Sequence, residues 1–376
     1  MKTWCSGMRT ESSASVRNVM ALMVLALSLM LALPAHADWY REVDKQSAWQ
    51  GDLRARVAAI EEVFGGTLGL YVYDIDGGEA FSWRADDPWY LASLVKVPIA
   101  AEVFAERDQE ELSLDERLVL RDEDFVDGAG PTIWHDPGTP ISINYLLEQM
   151  ITVSDNTASD MLIHRVGLEA VNRRAQALVT AGGGDASTLG PITRLVGVRQ
   201  GVYAQMHPEA RALTGRDFIA LRQHRVADRP GALVRRLGVS PSSFDAPDYD
   251  SAFDAYEASG ENSAPLRTYG DLLAGLRQEA RFAPVLSLMQ HTTSGEGRLK
   301  AGLALSAGAA RFAHKTGTQH RRTCDAGIVT RGTAESARDV VVVACSRGPV
   351  ARGPHENALA RVGEALRRSG ALGEPW

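Results

Sequence analysis

Apolar positions divide the chain into three zones. Leu53, Val57, Ile60 and Val63 recur at three- and four-residue spacing, which predicts an amphipathic helix from Leu53 to Phe64. Thr67–Asp74 (TLGLYVYD) then alternates and is rich in β-branched and aromatic residues. Asp76-Gly77-Gly78 turns it into Ala80–Trp83, the pattern of a β-hairpin. The middle zone has helical period over Ser93–Glu106, Ile143–Thr152, Thr157–Val166, Leu266–Leu276 and Ala283–Gln290. Proline is tolerated in a first turn but costs about 3 kcal/mol further in, so Pro98 implies a helix that starts near Ser93 or one that tolerates a kink. The last zone returns to strands, Arg311–Thr318, Thr323–Thr330 and Val340–Cys345. An amphipathic helix over His355–Arg368 closes the chain.

Strands at both ends with helices between predict an α+β fold. One antiparallel sheet is built from both ends of the chain with flanking helices, and the centre is an all-helical subdomain. The α/β part comprises residues 38–92 and 300–376, and the helical part residues 93–299. Within the latter, residues 197–262 carry Pro230, Pro241 and Pro247 and an acidic, aromatic stretch from Phe244 to Tyr256. The period is lost there, and the segment reads as an insertion or elaborated loop. No internal repeat or low-complexity tract is present.

The first residues have another character. Lys2, Arg9 and Arg17 precede a 15-residue apolar run, Val19–Leu33, followed by Pro34 and Ala35-His36-Ala37. A basic start, a short apolar core and an A-x-A end describe a secretory signal peptide over residues 1–37, cut after Ala37. The run is short of the ~20 residues that span a bilayer. The expectation is an exported protein, periplasmic or secreted, with no membrane span after cleavage and acting as a monomer.

The remaining composition is ordinary for a globular chain, 45% hydrophobic and 23% charged. The leader removes three basic residues and one acidic one, which moves the net charge from −7 to −9. An acidic exported protein is a poor nucleic-acid partner, because phosphate contacts need clustered Lys and Arg. The pairs Arg173-Arg174, Arg235-Arg236 and Arg321-Arg322 read as solvated faces. With no CxxC and no HExxH, no zinc site or other metal site is expected, and no cofactor. Cys5 leaves with the leader. Cys324 and Cys345 lie symmetrically about a turn at Gly332–Ala337, so they face each other across the hairpin. Adjacency, and a disulfide in an oxidising compartment, are expected.

Three short motifs occur in order: Ser93-Leu94-Val95-Lys96, Ser154-Asp155-Asn156 and Lys315-Thr316-Gly317. Each alone has a bland reading; Ser-Asp-Asn before a helix is first of all an N-cap. Together, with Ser93 opening a helix after a hairpin, Ser154 between two helices and Lys315 on the first late strand, they resemble the class A β-lactamases and penicillin-binding proteins. Pro137-Gly138-Thr139, Asn262-Ser263-Ala264 and His314–Thr318 extend the likeness over roughly residues 60–370, apart from the insertion.

The chemistry explains the residue types. A serine hydroxyl is a weak nucleophile until a base removes its proton. Lys96, three residues from Ser93, faces the same side of a helix. A desolvated lysine near Lys315 would have its charged form disfavoured and could serve as that base. Ser154 can relay the proton to a leaving nitrogen. Asn156 can orient Lys96 and bond a substrate amide, and Lys315 and Thr316 suit a substrate carboxylate. Gly317 lets the strand backbone come close. The resemblance implies an oxyanion hole from the backbone N–H groups of Ser93 and Thr318, a donor typically contributing ~3 kcal/mol.

One family element is missing. The resemblance calls for a glutamate, and an asparagine four residues on, after Thr193-Arg194-Leu195; Arg199 and Tyr203 stand in their places. Arg321 or Arg322 could add a carboxylate contact. Three activities stay open. They are a β-lactam hydrolase with slow deacylation, a D-Ala peptidase or other amidase or esterase on cell-wall peptides, and a penicillin-binding sensor that acylates once or not at all. A P-loop phosphate binder at Lys315-Thr316 is excluded, since the required glycine before the lysine is His314.

Overall fold

A continuous apolar run, Val340-Val341-Val342-Val343-Ala344-Cys345, lies in the middle strand of a five-stranded sheet. In the computed structural model all six residues are buried, as expected of a strand covered on both faces. The structure describes Met1 and residues 47–305, 310–332 and 337–373. Apart from Met1, the leader expected over residues 1–37 therefore lies outside the described residues. The chain from Asp52 to Trp376 forms one unit, separate from Met1–Gly51. Among the described residues no helix is long and apolar enough to cross a membrane.

The elements run α1 (Ala48–Phe64), β1 (Thr67–Asp74), β2 (Ala80–Trp83), β3 (Pro88–Tyr90), α2 (Lys96–Asp108), β4 (Arg117–Val119), β5 (Pro140–Ser142), α3 (Ile143–Thr152) and α4 (Asn156–Val166). They continue as α5 (Leu168–Ala181), α6 (Leu195–Ala204), α7 (Gly215–Arg222), α8 (Arg229–Leu237), α9 (Tyr249–Glu257), β6 (Ser263–Pro265), α10 (Leu266–Gln278) and α11 (Ala283–Gln290). The last are α12 (Leu299–Leu303), β7 (Ala310–Gln319), β8 (Arg322–Arg331), β9 (Arg338–Arg347) and α13 (Arg352–Ser369).

The main sheet has the order β2-β1-β9-β8-β7, and every pair in it is antiparallel. It joins the early hairpin to the three late strands, with α10 and α13 packed on β9. The fold class is α+β, as the zones of the sequence indicate. The short strands β3 and β6 pair, Tyr90 opposite Ser263. Leu91 N–H then donates to the Asn262 carbonyl at 2.8 Å.

Helix α2 is the axis of the helical part. From Lys96 to Ala105 all residues but Glu102 are buried, the mark of a helix covered on all sides. Pro98 is its third residue, where the N–H would lack an intrahelical partner anyway. Ser93 is not inside the helix. It lies in a single 3-10 turn, Ala92–Val95, that leads into it.

The sequence reading of residues 197–262 as a loop needs correction. The segment folds as the greater part of α6 and all of α7, α8 and α9. Val198, Val202, Tyr203, Phe218, Leu221, Leu233 and Phe253 are buried in the main core. These helices are only 8–10 residues long, too short for periodicity to stand out between prolines. The acidic, aromatic stretch is α9: Tyr249, Ala252, Phe253 and Tyr256 point into the core, while Asp250, Asp254 and Glu257 face the β7–β8 turn.

Candidate active site

The site forms where the 3-10 turn, the start of α4 and the edge strand β7 meet. Ala92, just before Ser93, has φ 50, and Ser154 has φ 65. Left-handed backbone at a non-glycine residue costs on the order of 1–3 kcal/mol and persists only where the surroundings enforce it. Around Ser93, Leu94 and Val95 are buried and Tyr269 OH donates to the Leu94 carbonyl at 2.9 Å. Lys96 N–H donates to the Ser93 carbonyl, which closes the turn. Residues three apart share one side of such a turn, which puts Lys96 on the side of Ser93.

Lys96 is fully buried. Its three ammonium donors meet three acceptors: the Ser154 carbonyl at 2.6 Å, Asn156 Oδ1 at 2.7 Å and Ser154 Oγ at 3.2 Å. Burial pushes its pKa down to about 7; the charges of Asp155 and Asp160 oppose the fall and Arg199 adds to it. At that value about half of the lysine is neutral at pH 7 and available as a base.

The Ser154-Asp155-Asn156 segment serves both structure and site. Asp155 is the N-cap of α4, accepting from Ala158 N–H at 2.8 Å, and its other oxygen accepts from Thr132 N–H at 2.8 Å. Asn156 turns its amide nitrogen to the Asp127 carbonyl at 2.7 Å, which fixes its oxygen toward Lys96.

Lys315 reaches the same hydroxyl from the other side. Its Nζ donates to Ser154 Oγ at 2.9 Å and to the Thr316 carbonyl at 3.0 Å. Burial holds its pKa well below the ordinary lysine range, and the neighbouring Lys96 and Arg298 charges lower it further against Asp325. Thr316 Oγ1 shares a hydrogen bond with Ser294 Oγ at 2.7 Å. A Cβ on Gly317 would lie 2.6 Å from the Leu91 carbonyl, so only glycine lets β7 pass this close to the Ser93 turn. Thr318 Oγ1 accepts from Arg298 at 2.6 Å.

The structure thus brings together Ser93, Lys96, Ser154, Asn156, Lys315, Thr316, Gly317 and Thr318. Ser93, Ser154, Asn156, Thr316 and Thr318 line a cavity of about 400 Å³, with the two lysines beneath its surface. Two contributors escaped the sequence reading. Arg298, fully buried, also donates to the Gly317 and Cys324 carbonyls at 3.2 and 3.0 Å. Asp127 pairs with Arg199. Neither belongs to a motif, and both act through partners remote in sequence.

Arg199 stands on the cavity wall. Burial works against its guanidinium, but the Asp127 carboxylate outweighs this and holds it charged above the ordinary arginine value. Tyr203 instead points into the core, stacked on Phe218 with ring centroids 5.3 Å apart. Of the acids in residues 197–262, none lines the cavity. Arg321 and Arg322 are not merely solvated: Arg321 pairs with Asp250 at 2.6 Å, and Arg322 with Asp254 at 2.7 Å and with Glu257. Among the described residues no cluster of His, Cys, Asp or Glu could hold a metal ion. Cys324 lies opposite Cys345 in the β8–β9 register, and the two are joined by a disulfide.

Comparison with known proteins bears on this arrangement. The β-lactamase of Streptomyces albus G is 30% identical over 125 residues, 31% of this chain and 38% of that protein. The aligned part thus spans about two fifths of that relative's length. The solved β-lactamase of Sphaerobacter thermophilus DSM 20745 superposes with a TM-score of 0.61 at 22% identity, covering 86% of this chain and 99% of that one. A mutant of PBP-A, solved as an acyl-enzyme complex with penicillin G, superposes with a TM-score of 0.55 at 21% identity, covering 85% and 97%. At these identities the superpositions speak for the fold. The model of the β-lactamase enzyme family matches residues 52–369, most of the chain, and the protein belongs to that family.

Proposed function

We propose that this protein is an exported serine acyl hydrolase that opens β-lactam amide bonds through an acyl-enzyme at Ser93, and that it releases the acyl group slowly. The observation that carries the reading is the buried pair of lysines converging on Ser154 Oγ, at 3.2 and 2.9 Å, one of them with its pKa pushed down to about 7.

Neutral Lys96 takes the proton of Ser93 as Oγ bonds to the carbonyl carbon. The backbone N–H groups of Ser93 and Thr318 receive the developing oxyanion. The C–N bond then breaks, Ser154 hands its proton to the leaving nitrogen, and Ser154 is reprotonated from Lys96. Thr316 and Lys315 offer hydrogen bonds to the substrate carboxylate, and Arg298, bonded to Thr318 Oγ1 beside them, adds positive charge.

Hydrolysis of the ester needs a base for water. Arg199 stays protonated and has no acceptor. Asp127, the acid in the cavity lining, is engaged by Arg199 and, at 3.5 Å, by Arg222. Acylation is therefore well equipped and deacylation is not. The Cys324–Cys345 disulfide supports residence in an oxidising compartment, in keeping with a leader over residues 1–37.

Intact-mass spectrometry after incubation with benzylpenicillin tests the reading. One adduct of the antibiotic's mass is expected on the native protein and none on Ser93→Ala. An adduct that survives this change removes Ser93 from the role.

A further inference from the structure

The charge on the cavity wall is lopsided. Seven arginines line it, and Asp127 is the lone acid among the lining residues, in a chain whose net charge is −7. Most of these arginines are held by carboxylates: Arg298 and Arg352 by Glu356, Arg321 by Asp250, and Arg322 by Asp254 and Glu257. Arg199 takes up Asp127.

Two are left with little. Arg222 reaches the already engaged Asp127 at 3.5 Å, with its side chain 51% exposed. Arg229 makes no ion pair among the described residues. Its Nε donates at 3.4 Å to the His224 carbonyl, and its guanidinium lies over the Tyr249 ring at 4.9 Å from the centroid. Both lie on the helical wall. A Cβ on Gly128 would come within 2.2 Å of the Asn156 amide nitrogen and 3.4 Å of Arg222, so Arg222 is beside the group proposed to meet the substrate amide. The strand wall opposite carries Thr316 and Thr318.

We propose that Arg222 and Arg229 form a second anion subsite for a carboxylate on the acyl side of the substrate, apart from the carboxylate facing Lys315 and Thr316. The substrate class is thus dianionic, a β-lactam or acyl peptide with one negative group on each side of the scissile bond. The inference rests on acylation of Ser93. The guanidinium fork matches a carboxylate in geometry, and an aromatic face behind Arg229 supports the cation without neutralising it. A cationic cleft on an anionic protein also focuses the field and raises the local concentration of anions.

Benzylpenicillin and carbenicillin separate the two ideas, since they differ by one carboxylate on the acyl side chain. The measurement is the second-order rate of acyl-enzyme formation by quenched intact-mass spectrometry at low ionic strength. The native protein is expected to acylate about tenfold faster with carbenicillin, within the range electrostatic focusing supplies. That ratio should fall to near one at high salt and in Arg222→Gln/Arg229→Gln. Arg229→Gln alone, which breaks no ion pair, should lose most of it. Arg235→Gln, the same charge change on an exposed arginine that does not line the cavity, should keep it. A native ratio of one or less, a ratio that survives the double variant, or equal loss in Arg235→Gln overturns the subsite. Adducts from neither penicillin overturn the proposed function, and the subsite with it.

Discussion

The buried floor and the helical wall of one cavity treat positive charge in opposite ways. Beneath the floor, Lys96 at the start of α2 and Lys315 on β7 are sealed from water, face no carboxylate directly, and have their charged forms disfavoured by burial. On the helical wall, Arg199 is also largely buried, but a carboxylate meets it and keeps it charged. Desolvation alone makes a base, whereas desolvation with a counter-ion makes a fixed charge. A site with the first device and without an ionised acid free to move a proton is suited to forming an ester and poorly suited to cleaving it.

The sharpest way to break this contrast is to remove one basic side chain from the floor and one from the wall. Lys96→Met is expected to slow acylation by about 10³-fold, within the range of general-base catalysis, whereas Arg199→Gln should slow it by less than about tenfold. Rapid-quench acylation rates decide; equal losses would mean that Lys96 is not the base.

The pH dependence comes next. In the proposed mechanism the neutral form of Lys96 is the active one, and burial pushes its pKa down to about 7. The acylation rate should therefore be level above about pH 8 and fall roughly tenfold per unit well below 7. Arg199 contributes to lowering that value, so Arg199→Gln should move the acid limb to higher pH. A limb that stays put in the variant would contradict a charge coupling between Arg199 and Lys96.

Arg199→Gln should also destabilise the fold by roughly 3–5 kcal/mol in denaturant titration, because Asp127 is left buried with only the distant Arg222. A loss under about 1 kcal/mol would mean that solvent reaches the pair. The smallest effect on chemistry is expected at the disulfide. Replacing Cys324 and Cys345 by alanine should leave acylation within about twofold. The 21-residue separation implies a stability loss of about 3 kcal/mol.

What the sequence discloses depends on how local the signal is. Ser93 to Lys96, Ser154 to Asn156 and Lys315 to Thr318 are each legible because one turn or strand carries the whole pattern. The sheet is legible because its strands alternate or run apolar without a break. Asp127 and Arg199 are 72 residues apart, and no spacing rule joins them. Arg298 belongs to no motif and gains meaning only when β7 and β8 offer it the Gly317 and Cys324 carbonyls. Residues 197–262 carried a usable signal that prolines obscured: Tyr249, Ala252, Phe253 and Tyr256 follow helical spacing. The arginines at 321 and 322 looked solvated because their acids lie on that same helix, some 65–71 residues upstream in sequence.

The central claim is that this cavity forms an acyl-enzyme faster than it can hydrolyse it. A stopped-flow assay with a chromogenic cephalosporin measures both steps at once. The account predicts a burst of about one equivalent of opened ring per Ser93, followed by a slow steady phase. Rapid linear turnover with no burst, lost when Asp127 or an acid between 197 and 262 is changed to its amide, would show that a carboxylate does activate water here and would contradict the account.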